Sequence, residues 1–321
     1  MDFELPSPAA PLKIGTRGSP LALAQAHETR ARLMIAFDLP ESAFEVCVIK
    51  TSGDDRSLID ADIPLKVIGN KGLFTKEIEE AMLAGRIDIA VHSTKDMPVA
   101  QPDGLVLNVF LPREDARDAF VSVKYAGIAD LPEGAIVGTS SLRRRAQLLV
   151  KRPDLTVVEF RGNVQTRLKK LADGLADATF LAMAGLNRMG MHDAAIGAID
   201  LDDMLPAIAQ GTISIERRVD DLRARDMLAA IHNVQAGQQM AAERAFLAAL
   251  DGSCETPIAG LAMIDCDQMW LRGEILKPDG SQVFTGERRG LVSEGAAMGM
   301  ELAQELLGQA GPDFFEAVQA G

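Results

Sequence analysis

The chain is poor in cysteine, in histidine, in long apolar runs and in net positive charge. It has 3 cysteines and 4 histidines among 321 residues, with no CxxC pair. An odd, widely spaced set of thiols does not make a disulfide framework, and no zinc site is spelled out, so no metal is expected and a reducing compartment is. No eighteen consecutive residues are apolar, and the first thirty hold no basic segment followed by an apolar run. Neither membrane insertion nor secretion is expected, and the expected location is the cytoplasm. The balance of 33 basic against 46 acidic residues gives a formal charge of −13, which repels a polyanion and argues against nucleic acid as a partner.

What remains is ample. Hydrophobic residues make up 47% of the chain, enough for two or three cored domains. Of the three thiols, Cys47 falls in the apolar strand pattern 44–51 and Cys266 in the stretch 261–270, where packing or edge positions are expected. Cys254 differs. It lies in LDGSCETPIAG, where Asp251, Gly252 and Ser253 end a helical pattern and Pro257 prevents another from starting. A lone cysteine is ordinarily a small buried hydrophobe, but this position favours a displayed thiol.

In chain order, the strand 12–15 runs into Thr16-Arg17-Gly18-Ser19-Pro20, with Ser19 as N-cap and Pro20 at N1 of a helix towards Phe37. Exposed amides and Arg17 could bind a carboxylate or phosphate there, although capping alone explains Ser19. After the strand 44–51 comes a Gly- and Asp-rich run over 52–70 with Lys66 and Lys71 near its end, read as a lid whose lysines either meet an anion or are merely solvated. A helix over 75–84 stops at Gly85, and the strand 87–91 delivers His92-Ser93-Thr94-Lys95-Asp96-Met97-Pro98 to a strand end, where α/β proteins place ligands. Asp96 there is either an Asx-turn residue or a chemical group.

The polar run PREDARD at 112–118 reads as a hinge. Beyond it, strand 135–137 leads to Gly138-Thr139-Ser140-Ser141 and a helix opening with Leu142-Arg143-Arg144-Arg145. Strand 155–160, Arg161-Gly162-Asn163 and a helix carrying Arg167 repeat that plan, and a further strand precedes the helix holding Arg188. Arginines at successive helix starts imply a convergent site for a small anion. The segment 206–215 reads as a strand returning across the hinge. After residue 220 a helix, three strands with a Pro278-Asp279-Gly280 turn and a closing helix form a different, antiparallel unit.

Taken together, IGTRGSPLALAQ, NKGLFTKEIE, DIAVHSTKDMP, REDARDAF, VGTSSLRRRAQL, FRGNVQTRL, AMAGLNRMG and DGSCETPI resemble the porphobilinogen deaminase (hydroxymethylbilane synthase) family in order and spacing over nearly the whole length. The resemblance implies a monomeric transferase that condenses four porphobilinogen molecules into hydroxymethylbilane with loss of ammonia. It also implies a dipyrromethane cofactor held through a thioether to Cys254, and Asp96 as the catalytic carboxylate. Lys95, Thr139, Ser141, Arg143 and Arg144 are implied on the cofactor, and Arg17, Ser19, Lys71, Phe74, Arg161, Arg167 and Arg188 on the substrate, whose acetate and propionate arms the arginines would match. Arg145 is outside the pattern. The implied fold is two α/β domains of the type II periplasmic-binding-protein kind, 1–111 with 212–229 and 117–205, around a central cleft, plus a small α+β domain, 234–321, that carries the cysteine loop.

Three departures from the family pattern stand out. Lys66 and Lys71 are five apart instead of four, the return stretch reads AQGT instead of GQGA, and Ser253 replaces a glycine beside Cys254. The competing reading is a non-enzymatic, two-lobed cytoplasmic protein that captures a small carboxylate.

Overall fold

The computed structural model describes residues 4–52, 74–250, 256–311 and 314. These fall into two compact units. The first is built on a five-stranded sheet in the order β2-β1-β3-β10-β4, comprising β1 (Leu12–Thr16), β2 (Phe44–Val48), β3 (Ile89–Ser93), β4 (Leu105–Phe110) and β10 (Ile213–Arg218). β1 is parallel to β2 and β3, whereas β10 lies antiparallel between β3 and β4. Ile14, Ile89, Ile213, Ile215 and Leu33 are all fully buried in one cluster, each worth about 1.5–3 kcal/mol of transfer free energy.

Local chemistry sets the helices of this unit. α1 (Pro20–Phe37) starts where Ser19, in extended backbone, accepts a hydrogen bond from the Ala22 N–H at 3.3 Å with Pro20 just inside, as expected. α2 (Lys76–Leu83) is followed by Gly85 at φ 68°, a left-handed position that glycine occupies without strain.

The second unit carries a sheet of the same plan, β7-β6-β8-β5-β9: β5 (Asp118–Ser122), β6 (Ile136–Gly138), β7 (Thr156–Val158), β8 (Ala178–Ala182) and β9 (Gly197–Ala198). Here β5 is the antiparallel insert, between β8 and β9. The repeated arrangement is that of two α/β domains of the type II periplasmic-binding-protein kind. The same unit includes an antiparallel meander of β11 (Ile258–Asp265), β12 (Gln268–Leu276) and β13 (Val283–Leu291). α8 (Gly295–Ala310) and α7 (Val234–Ala249) cover one face of the meander. A Cβ on Gly273 would stand 2.6 Å from the Phe246 ring of α7 and 3.0 Å from Leu302 of α8.

Several boundaries differ from the sequence-based expectation. The strand expected at 87–91 runs from Ile89 to Ser93, which brings His92 and Ser93 into the sheet. The return strand starts only at Ile213, because 208–211 is turn. Asp118, expected in the polar hinge, is the fully buried first residue of β5. β4, β5, β9 and α6 (Leu222–Ala229) were not anticipated. Cys254, Lys66, Lys71 and nearly all of the expected lid over 52–70 lie outside the described residues.

Candidate active site

A cavity opens at the carboxyl ends of β1 and β3, lined by Arg17, Ser19, Gln25, Phe74, His92 and Asp96 among others. Arg17 follows β1 directly, and its guanidinium carbon sits 4.1 Å from the Phe74 ring centroid, a cation–π contact that orients the head group. Asp96 ends a single 3₁₀ turn, Thr94–Asp96. Thr94 anchors this turn by donating from both its N–H (3.0 Å) and its hydroxyl (2.9 Å) to the Thr212 carbonyl. The Asp96 carboxylate itself is exposed, and Lys95, half-buried, shares the turn.

Three lining residues were given no role by the sequence reading. Gln25 and Ser93 exchange hydrogen bonds at 2.8 and 3.1 Å, and His92 Nε2 lies 3.2 Å from Glu216 Oε2 with both side chains buried. The predicted strand end was two residues too early, so both Ser93 and His92 read as loop. Glu79 of α2 faces the same buried group. Burial pushes its carboxyl up, and the Glu216 charge adds to the effect.

In the second unit, α3 (Leu142–Lys151) begins at Ser141, whose Oγ accepts the Arg144 N–H at 3.4 Å, while the Ser141 N–H donates to Thr139 Oγ1 at 3.2 Å. Its first turn carries Arg143 and Arg144, only 4% and 5% exposed. Both reach Asp118. Arg143 Nη2 donates at 2.7 Å, and Arg144 donates from Nη2 at 2.7 Å and from Nε at 3.2 Å. Gln210 Nε2 adds a bond at 2.9 Å, and the carbonyls of Leu205 and Phe180 accept one guanidinium N–H each at 2.8 Å. Burial alone would raise the Asp118 carboxyl, but the two guanidiniums hold it far below the usual carboxylate range. Arg143 Nε remains buried with no hydrogen-bond partner.

The other arginines sit at the neighbouring turns of this unit. Arg161, 7% exposed, follows β7. Arg167 lies one turn into α4 (Val164–Ala172), which Asn163 caps by accepting the Thr166 N–H at 2.9 Å, and its Nε donates to the Gly162 carbonyl at 2.9 Å. Gly162, at φ 116°, would bring a Cβ to within 2.6 Å of Thr166, so the turn that spaces Arg161 from Arg167 requires glycine. Arg188 ends α5 (Met183–Arg188) and donates to the Gly211 carbonyl at 3.0 Å. Among the described residues there is no His, Cys, Asp and Glu cluster suited to a metal ion, and no helix long and apolar enough to cross a membrane.

Each α/β sheet carries arginines at its strand ends, and in the first unit Arg17 lines the same cavity as the exposed Asp96, a donor set suited to a small anionic ligand. Comparison with known proteins carries this to a family. Residues 12–226 match the family description "Porphobilinogen deaminase, dipyromethane cofactor binding domain", and residues 238–308 match "Porphobilinogen deaminase, C-terminal domain". The porphobilinogen deaminase of Paracoccus denitrificans (strain Pd 1222) is 63% identical over 98% of this chain and 99% of its own length. That of Nitrobacter hamburgensis is 52% identical over 94% of each. The chain belongs to the porphobilinogen deaminase family.

Proposed function

We propose that this chain condenses four porphobilinogen molecules head to tail into hydroxymethylbilane, releasing one ammonia at each addition, as the transferase step of tetrapyrrole biosynthesis. The observation that carries this reading is the match to both family domains together with 63% identity to the Paracoccus denitrificans enzyme over 98% of this chain. The cofactor is dipyrromethane, and we assign its thioether to Cys254 by motif. Arg143, Arg144, Ser141, Thr139 and Lys95 would hold its acid arms. The donor chemistry fits, since the Arg143 Nε–H is buried without an acceptor and a ligand carboxylate would supply one. When bound, the cofactor supplies a tethered pyrrole carbon as nucleophile.

Asp96 is the working carboxylate of this reading. Exposed in the cavity, it can accept the pyrrole N–H of the substrate and lower the energy of the positive charge that develops on the ring as ammonia leaves. Arg17 and Ser19 bind a substrate carboxylate beside it. Arg161, Arg167, Arg188, Lys71 and Phe74 are assigned to the remaining arms and rings. We further assign domain boundaries at 1–111 with 212–229, 117–205 and 234–321, a cytoplasmic location, a monomer, and no nucleic-acid partner.

The test is Asp96→Asn, which preserves shape and removes the charge. Ammonia release from porphobilinogen should fall at least about 10²-fold with an unchanged thermal transition. Turnover within a few-fold of wild type would take this role from Asp96. A protein that binds dicarboxylates but releases no ammonia would favour the binding-protein reading.

A further inference from the structure

Among the described residues lining the cavity of the first unit, His92 is the one imidazole and Asp96 the one carboxylate. The sheet register fixes how that imidazole is held. Ser214 of β10 lies directly opposite His92 in the antiparallel pair, and Glu216 lies two residues along, so all three side chains share one face of the sheet. Glu216 Oε2 is 3.2 Å from His92 Nε2, an arrangement that orients the imidazole.

Nδ1, the other ring nitrogen, makes no hydrogen bond among the described residues. Glu216 Oε1 and Ser214 Oγ are buried without partners, so part of this polar group has unused hydrogen-bonding capacity. The charged and titratable groups around the imidazole are Glu216 from β10, Glu79 from α2, Arg17 after β1, and Asp96 on the following turn.

We propose that His92, braced by Glu216, is the second proton-handling group of the cavity and donates a proton to the substrate's amine nitrogen. This rests on the deaminase reading above. A neutral primary amine leaves as ammonia only after gaining one proton. The Nδ1 proton of the imidazolium passes to that nitrogen, the carbon–nitrogen bond breaks with both electrons going to nitrogen, and ammonia departs. The positive charge left on the pyrrole faces Asp96. His92, now neutral with its Nε2–H on Glu216, takes a proton from solvent before the next addition. The two side chains thus divide the work, one placing a proton on the leaving group and the other balancing the cation.

The test combines His92→Gln and Glu216→Gln with the pH dependence of kcat for ammonia release and an NMR titration of the His92 imidazole in the intact protein. His92→Gln should lower kcat on the order of 10²-fold near neutral pH, leave KM within about threefold, and abolish the alkaline limb of the profile. Glu216→Gln should move that limb, and the imidazole titration with it, to lower pH. Circular dichroism on both variants verifies the fold, and if Glu216→Gln fails to fold, His92→Gln with the wild-type titration decides the matter. His92→Gln with a wild-type profile, or an imidazole titration that moves while the rate limb does not, overturns the proposal and leaves the deaminase reading standing. A wild-type protein that releases no ammonia removes both.

Discussion

Asp118 offers the sharpest stability test, because four donors converge on one fully buried carboxylate. Asp118→Asn removes the charge with almost no change in volume, leaving Arg143 and Arg144 buried with a neutral amide between them. Breaking a buried ion pair from one side costs about 3–5 kcal/mol, since the remaining charge is stranded. For a unit of this size each kcal/mol corresponds to about 2–4 °C, so the midpoint should drop by about 6–20 °C. The only tryptophan, Trp270, lies on β12 of the same unit, so fluorescence-detected melting reads that unit selectively.

The pH dependence fixes the origin of the effect. The folded-state pKa of Asp118 is depressed, so its stabilisation is fully present above the unfolded value of about 3.9 and is lost as pH falls through the folded value. The gap between wild type and Asp118→Asn should therefore hold steady from pH 8 to 5 and close only below about pH 4. A variant within about 1 kcal/mol of wild type, or a gap that closes near neutrality, would refute the ion-pair account.

Two further predictions follow from the backbone at Ala209 and from the half-buried imidazole of His232. Ala209 sits at φ 62° with its N–H donating to Glu243 Oε2 at 2.7 Å. A left-handed alanine costs about 1–2 kcal/mol, and glycine gives back about 0.4–1 through the freer unfolded chain, so Ala209→Gly should stabilise by up to about 1 kcal/mol in urea melts; a loss of stability would remove the strain argument. His232 accepts the Phe110 N–H on Nδ1 at 3.2 Å, and burial lowers its pKa. Protonation removes that acceptor, so stability should fall as pH drops below about 6.5, and an NMR titration of His232 at or above 6.5 would contradict this.

What the sequence made legible is mostly what acts within four residues. Ser19 with Pro20, Asn163, and Gly85 each terminate or start a helix by a bond or a torsion that the local string determines, and each sits where it was expected. What was not legible depends on distant partners. The return strand itself was legible within 206–215, but its place between β3 and β4, more than a hundred residues after them in the chain, was not. Asp118 read as hinge because its neighbours are polar, yet it is interior because two arginines 25 and 26 residues onward neutralise it. The cavity of the first unit divides the same way. His92 and Asp96 were both placed at a strand end by sequence, while the pairing of His92 with Glu216 and its position opposite Ser214 came only with the strand register.

The central claim, a tetrapyrrole-building enzyme primed by a cofactor on Cys254, is tested most directly by intact mass. Protein purified from cells that make porphobilinogen should exceed its sequence mass by two linked pyrrole units, and Cys254→Ser should run at its bare sequence mass. A wild-type protein at the bare mass, or an adduct that survives in Cys254→Ser, would contradict the account.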